Sequence, residues 1–277
     1  METNKIYRGD CLELMKQIED NSVDLVVTSP PYDNLREYKG YSFEFEKIAK
    51  ELFRVTKKGG ILVWIVNDAT NKGDETGTAF KQALFFKECG FNLHDTMIWF
   101  KPNSFNFGSN SCYRQSFEYM FVFSKGKIKT TNLIKDIPTK LKGQKVKGAR
   151  KHANGVRDVV PDFVVGDYKK RNNVWEIPVG TSNNGHPAIF PEKLAEDHIL
   201  SWSKERDLVL DIMCGSGTTC KMALKNNRKF LGFEISEEYC KIANERIQKE
   251  LSQSKLNDGN DGIPPKPKDL GILPTII

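Results

Sequence analysis

Two short stretches of this sequence combine residue types that could do chemistry on a flat amino group. The first is TSPPY (residues 28–32), which directly follows the apolar, β-branched stretch Val23–Val27. Proline lacks an N–H and fixes φ, so Pro30 and Pro31 cannot continue a strand ladder. They can hold carbonyl oxygens in one outward direction beside the ring of Tyr32, which suits the binding of a planar group bearing an NH₂. A proline-rich turn that simply ends a strand is the alternative.

The second stretch, LVLDIMCGSGTT (residues 208–219), is an apolar strand with an acid at its end and a glycine turn that opens a helix. The glycines permit a tight turn and close approach of a ligand to free N–H groups at the helix N-terminus. About twenty residues later the next strand ends in Glu234, which could accept hydrogen bonds from two ribose hydroxyls. This pattern predicts a nucleoside-containing cofactor. Asp211 at the binding edge suits an ammonium better than a phosphate, which favours S-adenosyl-L-methionine.

Strand and helix patterns alternate around both stretches, which predicts an α/β fold with a parallel-rich sheet covered on both faces. The predicted strands are 5–7, 23–27, 61–66, 95–100, 118–123, 208–212 and 230–233. The predicted helices are 11–18, 45–55, 80–88, 191–202, 218–226 and 237–251.

A basic segment without periodicity interrupts this alternation. Between Lys125 and Trp175 there are fourteen Lys and Arg, four Asp and no Glu, an excess of ten positive charges. Because the whole chain carries +6, the remainder is net −4 (6 − 10). Such a concentration predicts a polyanionic partner, with an ordinary solvated basic face as the alternative.

The totals describe a globular protein, with 39% hydrophobic and 28% charged residues. No apolar run approaches the roughly 18 residues of a membrane span, and the N-terminus lacks a signal-peptide core. We therefore expect no membrane association and a cytoplasmic location. The six cysteines are scattered without a C-x-x-C pair, which predicts small buried side chains in a reducing compartment and no metal site.

Taken together, the two chemical stretches resemble motifs of the β group of amino-DNA methyltransferases, the N4-cytosine and N6-adenine enzymes of restriction-modification systems. TSPPY resembles the catalytic motif and LDIMCGSGTT the cofactor loop, in the β-group order with the catalytic motif first. GDCLELMKQIEDNSVDLVV, RQSFEYMFVFSKG, GHPAIFPEKLAEDHI and FLGFEISEEYCKIANERI resemble further segments of the group, so most of residues 4–247 is covered. A cytosine-C5 enzyme would need a nucleophilic cysteine, typically after proline, and no Pro-Cys occurs here.

The resemblance implies a Rossmann-like S-adenosylmethionine-dependent methyltransferase sheet of seven strands, with a circularly permuted motif order and a basic target-recognition insertion. It implies a catalytic domain (1–124 and 186–251) and a target-recognition region (125–185). The tail (252–277) is rich in turn-forming glycine and proline, and we expect it to be mobile. The implied catalytic residues are Ser29, Pro30, Pro31 and Tyr32. The expected cofactor-binding residues are Asp10, Cys11, Thr28, His186, Pro187, Phe190, Asp211, Met213, Cys214, Gly215, Ser216, Gly217, Thr218, Thr219, Glu234 and Ile235. The expected DNA-binding residues are Arg36, Asn103, Asn106, Arg114, Lys145, Lys147, Arg150, Lys151, Lys169, Lys170 and Arg171.

The expected reaction is methyl transfer from S-adenosyl-L-methionine to the exocyclic N4 of a cytosine flipped out of duplex DNA. Ser before Pro-Pro-Tyr resembles the cytosine-N4 enzymes, and N6-adenine methylation is the alternative. More distant alternatives are an RNA or protein-glutamine methyltransferase, a nicotinamide-dependent oxidoreductase and a non-catalytic nucleic-acid-binding module. The expected partner is double-stranded DNA, with a cognate restriction endonuclease as a potential second partner and with monomer and homodimer both open.

Overall fold

A computed structural model describes residues 1–31, 43–104, 112–151, 155–179 and 190–258 of the chain. Its helices are α1 (Cys11–Met15), α2 (Phe45–Val55), α3 (Thr78–Glu88), α4 (Glu192–Trp202), α5 (Thr218–Lys225) and α6 (Glu237–Asp258). Its strands are β1 (Lys5–Arg8), β2 (Val23–Thr28), β3 (Thr56–Val66), β4 (Thr70–Asn71), β5 (Asp74–Glu75), β6 (Asn92–Phe100), β7 (Phe117–Ser124), β8 (Lys135–Pro138), β9 (Lys145–Val146), β10 (Ala149–Lys151), β11 (Arg157–Val159), β12 (Phe163–Val164), β13 (Tyr168–Lys170), β14 (Val174–Glu176), β15 (Leu208–Asp211) and β16 (Lys229–Glu234).

An eight-stranded sheet in the order β1-β16-β15-β2-β3-β7-β6-β14 forms the centre of the fold. The first five strands are parallel, β7 is antiparallel to both of its neighbours, and β14 is parallel to β6. The predicted α/β sheet is therefore confirmed. It has one strand more than the resemblance implied, because Val174–Glu176 leaves the basic segment and pairs with the edge strand β6.

Helices cover both faces of this sheet, and alternation along the strands assigns each side chain to one face. In β3, Ile61, Val63 and Ile65 join the core under α4, α5 and α6, whereas Leu62 and Trp64 join the core under α1, α2 and α3. Strands buried on both faces read as near-continuous apolar runs, which is why β2 and β3 were recognisable in the sequence.

Four predicted boundaries were wrong by three residues or more, one of them the start of β6, which lies at Asn92 instead of residue 95. At two of the others, contacts from distant residues decide where the element begins or ends. Helix α1 stops at Met15 instead of residue 18. The Arg54 guanidinium donates hydrogen bonds to the carbonyl oxygens of Met15 and Ile18, at 2.7 and 2.8 Å, in this region. Strand β3 begins at Thr56 instead of residue 61, since Gly59 donates to the Lys125 carbonyl at 2.7 Å and so prolongs the ladder.

The fourth wrong boundary is at the C-terminus. Helix α6 runs to Asp258, seven residues past its predicted end at residue 251, so the predicted mobile tail begins as helix. Residues 259–277, the rest of that tail, lie outside the described part of the chain.

The basic segment is not irregular. Strands β8 to β13 pair only among themselves, as β8 with β13, β9 with β12 and β10 with β11. We call residues 134–171 the arm. Elsewhere in the fold, none of the described helices combines the length and the apolar character needed to cross a bilayer.

Candidate functional site

The carboxyl ends of four neighbouring parallel strands form a row along one edge of the sheet. In spatial order these are β1, β16, β15 and β2. The residues that follow them are Asp10, the Glu234 turn, the glycine turn after Asp211, and the Ser29-Pro30 corner. The two stretches with chemical potential are therefore neighbours, although about 180 residues separate them along the chain.

A buried hydrogen bond joins the diproline corner to the glycine turn. The hydroxyl of Thr28, the last residue of β2, donates to Asp211 Oδ1 at 2.8 Å. The hydroxyl of Thr219 in α5 donates to the Val27 carbonyl at 3.4 Å. Pro30 is buried and Ser29 is half-buried, so the corner is held by the sheet and remains open on one side.

The glycine turn between β15 and α5 needs its glycines for conformation and for packing. Gly217, the N-cap of α5, has φ of 77°, in the left-handed region that favours glycine, and a Cβ there would lie 2.9 Å from the Cβ of Ala243. The Gly217 amide donates to the Cys214 carbonyl at 2.7 Å, and the Cys214 amide donates to the Phe233 carbonyl at 2.8 Å. This turn is thus tied to β16.

Glu234 connects the turn to the end of β16. Its Oε2 accepts the Gly215 amide at 2.9 Å and its Oε1 accepts the Ser236 amide at 2.8 Å. Each carboxylate oxygen has two acceptor positions, so a second hydrogen bond to each oxygen is available to a ligand. On the next strand, Asp10 caps α1 by accepting the Leu12 and Glu13 amides on one oxygen, Oδ1.

The two acids at the centre of the row are buried without a cation. Asp211 is 5% exposed and Glu234 is 6% exposed. Burial raises the pKa of Asp211 to about 6, against hydrogen bonds that lower it, including the one from Thr28, and burial also raises the pKa of Glu234. Among the described residues neither acid has an ion-pair partner. Buried carboxylates without counter-charge are costly, so this pocket favours a ligand with a cation and hydroxyl donors.

The other predicted cofactor residues in the described chain lie around this pocket. Cys11 begins α1, Ile235 follows Glu234, and Met213, Cys214, Ser216 and Thr218 belong to the glycine turn. Phe190 precedes α4 and packs on the core beneath it. The residues predicted at His186 and Pro187 lie outside the described part, as do Tyr32, Arg36 and Asn106.

Sequence reasoning missed a cluster that holds the glycine turn from outside. Arg246 of α6 donates to the Ser216 carbonyl at 2.7 Å and to the Thr218 hydroxyl at 3.1 Å. Its other terminal nitrogen pairs with Glu192 of α4 at 2.8 Å, and Lys221 pairs with the same carboxylate at 2.8 Å. These residues come from three helices, and no local pattern in the sequence marks them.

Within the described part of the chain, the residues predicted to bind DNA divide into an arm group, a pair near the edge of the site, and Arg171. Lys145, Lys147, Lys169 and Lys170 have exposed side chains on the arm, and Arg150 and Lys151 belong to its strand β10. Asn103 and Arg114 lie near the site edge, where Asn103 exchanges two 2.9 Å hydrogen bonds with the backbone of Val179 and Arg114 donates to the Ser104 carbonyl at 2.9 Å.

Arg171 is different, because its guanidinium pairs with Asp136 and, at 2.6 Å, with the buried Asp197. Those ion pairs occupy the guanidinium within the fold. We therefore leave Arg171 out of the residues proposed below to contact DNA.

Comparisons with known proteins agree with this geometry. A sequence profile of the N6/N4 methyltransferase family, described as DNA methylase, matches residues 23–245. The orphan methyltransferase M.BamHII of Bacillus amyloliquefaciens is 53% identical over 261 residues, covering 89% of this chain and 96% of that protein. The type II methyltransferase M.BglII of Bacillus subtilis is 30% identical over 254 residues, covering 87% and 68%. The solved structure of the PvuII DNA methyltransferase (cytosine-N4-specific) has a similar fold, with a TM-score of 0.66 at 24% identity over 92% of this chain and 93% of that one.

Proposed function

Because this chain belongs to the N6/N4 family of DNA methylases, we propose that it transfers a methyl group from S-adenosyl-L-methionine to the N4 amino group of a cytosine in duplex DNA. The observation that carries the proposal is the 2.8 Å hydrogen bond between Thr28 and Asp211. It joins the corner suited to an amino group directly to the pocket suited to the methyl donor.

The residues of the row fit S-adenosyl-L-methionine in the order of its parts. In this proposal Asp10 would hold the adenine, Glu234 would accept hydrogen bonds from the ribose hydroxyls, and Asp211 with the glycine turn would neutralise the ammonium. The buried, unpaired carboxylates and the free acceptor positions on Glu234 are what support this placement. When bound, this group supplies a methyl on a sulfonium, which is electrophilic without a metal or a covalent enzyme intermediate.

The diproline corner would prepare the nucleophile. An aromatic amine is a poor nucleophile because its lone pair is delocalised into the ring. The Ser29 hydroxyl and the Pro30 carbonyl would each accept a hydrogen bond from one N–H of the amine. These hydrogen bonds favour tetrahedral geometry at nitrogen and stabilise the positive charge that develops there. Tyr32 would stack on the base, which must leave the duplex to reach the corner. The N–CH₃ bond would form as the S–CH₃ bond breaks, so S-adenosyl-L-homocysteine would leave with the electron pair on sulfur and one N–H proton would pass to solvent. Alignment of the amine with the donor would account for much of the rate.

The choice of cytosine over adenine depends on Ser29. Serine in front of Pro-Pro-Tyr resembles the cytosine-N4 enzymes, whereas both bases present an NH₂ that the corner could accept. Mass spectrometry of nucleosides from DNA methylated by the purified protein tests the choice. We expect N4-methylcytosine; N6-methyladenine alone would establish the alternative.

The pH dependence of cofactor binding should follow the ionisation of Asp211. Its pKa of about 6 leaves it ionised at pH 7, and ligand ammonium prefers the ionised form. Affinity should therefore fall as the pH is lowered through 6, by about tenfold between pH 7 and pH 5, since each unit below the pKa removes about tenfold of the ionised form. Calorimetric titration with S-adenosyl-L-methionine at both pH values measures this.

Lowering the pH should weaken cofactor binding but should increase the contribution of Asp211 to the stability of the cofactor-free protein. The folded pKa of Asp211 lies above its ordinary value of 3.8, so the folded state binds the proton more tightly and this group favours folding more as the pH falls from about 7 to about 4. Asp211→Asn should remove the contribution of Asp211 to the pH dependence of cofactor affinity and of stability. The contribution of Glu234, whose pKa is also raised by burial, should remain. Identical pH profiles for wild type and Asp211→Asn would exclude Asp211 from ammonium binding.

DNA contact is proposed for the exposed lysines of the arm. Lysines that neutralise phosphates release counterions, so each contact contributes about −0.9 to the slope of log affinity against log salt. The double variant Lys145→Ala/Lys147→Ala should reduce that slope by about two, measured by fluorescence anisotropy on duplex DNA. The matched control Lys241→Ala/Lys249→Ala removes two exposed lysines from α6 and should leave the slope unchanged. Equal slopes in all three proteins would make the arm lysines bystanders.

The name of one relative is relevant to whether this chain needs a cognate restriction endonuclease. M.BamHII is described as an orphan methyltransferase. We propose that this chain likewise methylates DNA without needing a cognate endonuclease. Expression of the chain alone should modify host DNA; absence of modification until a second gene is added would contradict this.

A further inference from the structure

Arg246 of α6 joins the glycine turn to the start of another helix. One terminal nitrogen of its guanidinium, Nη1, donates to the Ser216 carbonyl at 2.7 Å, to the Ser216 hydroxyl at 2.9 Å and to the Thr218 hydroxyl at 3.1 Å. The other, Nη2, donates to Glu192 Oε1 at 2.8 Å. Glu192 is the first residue of α4. A single side chain therefore spans the distance from the turn to α4.

Helix α6 also packs directly against the glycine turn, three residues before Arg246. A Cβ on Gly217 would lie 2.9 Å from the Cβ of Ala243 and 3.3 Å from its Cα, so no side chain fits between the turn and the helix. Ala243 is fully buried. Residues three apart share one face of a helix, so Ala243 and Arg246 face the turn together. The position of α6 and the path of the turn thus depend on each other.

The glycine turn is held on its other side by Glu234. The Gly215 amide donates to Glu234 Oε2 at 2.9 Å, which ties the turn to β16. Glu234 itself would contact a ligand through its carboxylate. The Arg246 guanidinium is used by the turn and by Glu192, so it would act on a ligand through the residues that it holds.

Glu192 anchors the guanidinium because it is itself held in place. Its Oε1 also accepts Lys221 of α5 at 2.8 Å, and Lys221 lies 3.8 Å from Glu250 of α6. Burial raises the pKa of Glu192, but the hydrogen bonds from Lys221 and Arg246 together lower it below its ordinary value. Glu192 therefore stays ionised in the pH range in which Asp211, with a pKa of about 6, takes up a proton.

The contacts of Arg246 require the shape of a guanidinium. Its planar fork carries donors on separate nitrogens, whereas a lysine ammonium is a single point of charge. A turn that is already fixed loses less conformational entropy when a ligand binds to it. We propose that Arg246 is a positioning residue: anchored by Glu192, it fixes the glycine turn in the conformation that receives the amino-acid part of S-adenosyl-L-methionine. This inference rests on the proposed function, in which the turn and Asp211 receive that part of the ligand.

Calorimetric titration at pH 7 with two ligands tests the inference. The ligands are S-adenosyl-L-methionine and 5′-methylthioadenosine, which has the same nucleoside but lacks the amino-acid part. Arg246→Ala should weaken binding of the first ligand by about tenfold and of the second by less than about twofold. Arg246→Lys keeps the charge without the fork, and its affinity for S-adenosyl-L-methionine should lie between those of Arg246→Ala and wild type.

Lys225→Ala is the matched control. Lys225 lies 3.8 Å from Glu196, so this pair joins the same two helices, α5 and α4, as the pair of Lys221 with Glu192. Lys225 is the last residue of α5, at the end of the helix remote from the glycine turn. The control variant should bind both ligands as wild type does.

Methylation kinetics distinguish positioning from catalysis. Arg246→Ala should raise the KM for S-adenosyl-L-methionine by about tenfold and keep kcat within about threefold of wild type, because the guanidinium does not contact the reacting amine. Glu192→Gln leaves a weaker, neutral acceptor for Arg246 and should also weaken S-adenosyl-L-methionine binding. The double variant Arg246→Ala/Glu192→Gln should bind no more weakly than Arg246→Ala, because the two residues act as one unit.

Four results would overturn the inference. They are wild-type S-adenosyl-L-methionine affinity in Arg246→Ala, equal losses for the two ligands, an equal loss in Lys225→Ala, and additive losses in the double variant. Melting temperatures show whether each variant is folded; if Arg246→Ala is not, Arg246→Lys and Glu192→Gln provide the same comparison of the two ligands. Failure of the proposed function is distinct, because wild type would then bind S-adenosyl-L-methionine without methylating DNA.

Discussion

Replacing Tyr32 with alanine is expected to remove most methyl transfer while S-adenosyl-L-methionine still binds with wild-type affinity. The resemblance of TSPPY to the amino-methyltransferase motif assigns the ring to stacking on the extruded base. Stacking of a base on an aromatic ring contributes about 1–3 kcal/mol, so the loss should lower the single-turnover rate by about tenfold to hundredfold. Rates on duplex DNA with labelled methyl donor, together with calorimetric cofactor binding, measure the two quantities separately.

Tyr32→Phe is the matched control for this experiment. It keeps the aromatic face and removes only the hydroxyl, so it should keep most of the activity. Full activity in Tyr32→Ala would refute the stacking role. Equal losses in the alanine and phenylalanine variants would assign the effect to the hydroxyl instead.

Glu234→Ala is expected to weaken S-adenosyl-L-methionine binding by about a hundredfold or more. The carboxylate can accept hydrogen bonds beyond those from the Gly215 and Ser236 amides, and hydrogen bonds to charged groups contribute about 1.5–3 kcal/mol each. The substitution also removes the acceptor of the Gly215 amide, which helps to fix the glycine turn. Calorimetry on the purified variant gives the dissociation constant directly.

The control variant is Glu238→Ala, an exposed acid in the first turn of α6, which should bind the cofactor as wild type does. A melting temperature for Glu234→Ala close to that of wild type would separate lost ligand contacts from lost folding. Unchanged cofactor affinity in Glu234→Ala would remove this acid from the pocket.

Local patterns in the sequence were enough to identify most of the secondary structure. Strands β2 and β3 are continuous apolar runs because both faces of the sheet are covered, and α2 was located at its observed bounds because Ile48, Leu52 and Val55 recur on one face. The glycine turn and the diproline corner were recognisable because their backbone requirements restrict the residue types that can stand there.

The element boundaries and the strand pairing within the basic segment could not be predicted from local patterns. The carbonyl groups of Met15 and Ile18, at and just after the end of α1, accept hydrogen bonds from Arg54, which lies more than 35 residues away. The arm was interpreted as irregular because its strands are two to four residues long and have no buried face to impose a period. Its ribbon exists only through pairing between residues up to about 37 apart, from 134 to 171.

By itself, then, the sequence determined which residues could do chemistry and which elements would carry them, since neighbours along the chain set periodicity and turn geometry. Tertiary structure alone decided that β15 lies beside β2, that Arg246 reaches the glycine turn from α6, and that Arg171 is occupied inside the fold. These contacts join residues far apart in the chain. They follow from covering both sheet faces and satisfying buried charges, conditions that only the assembled molecule imposes.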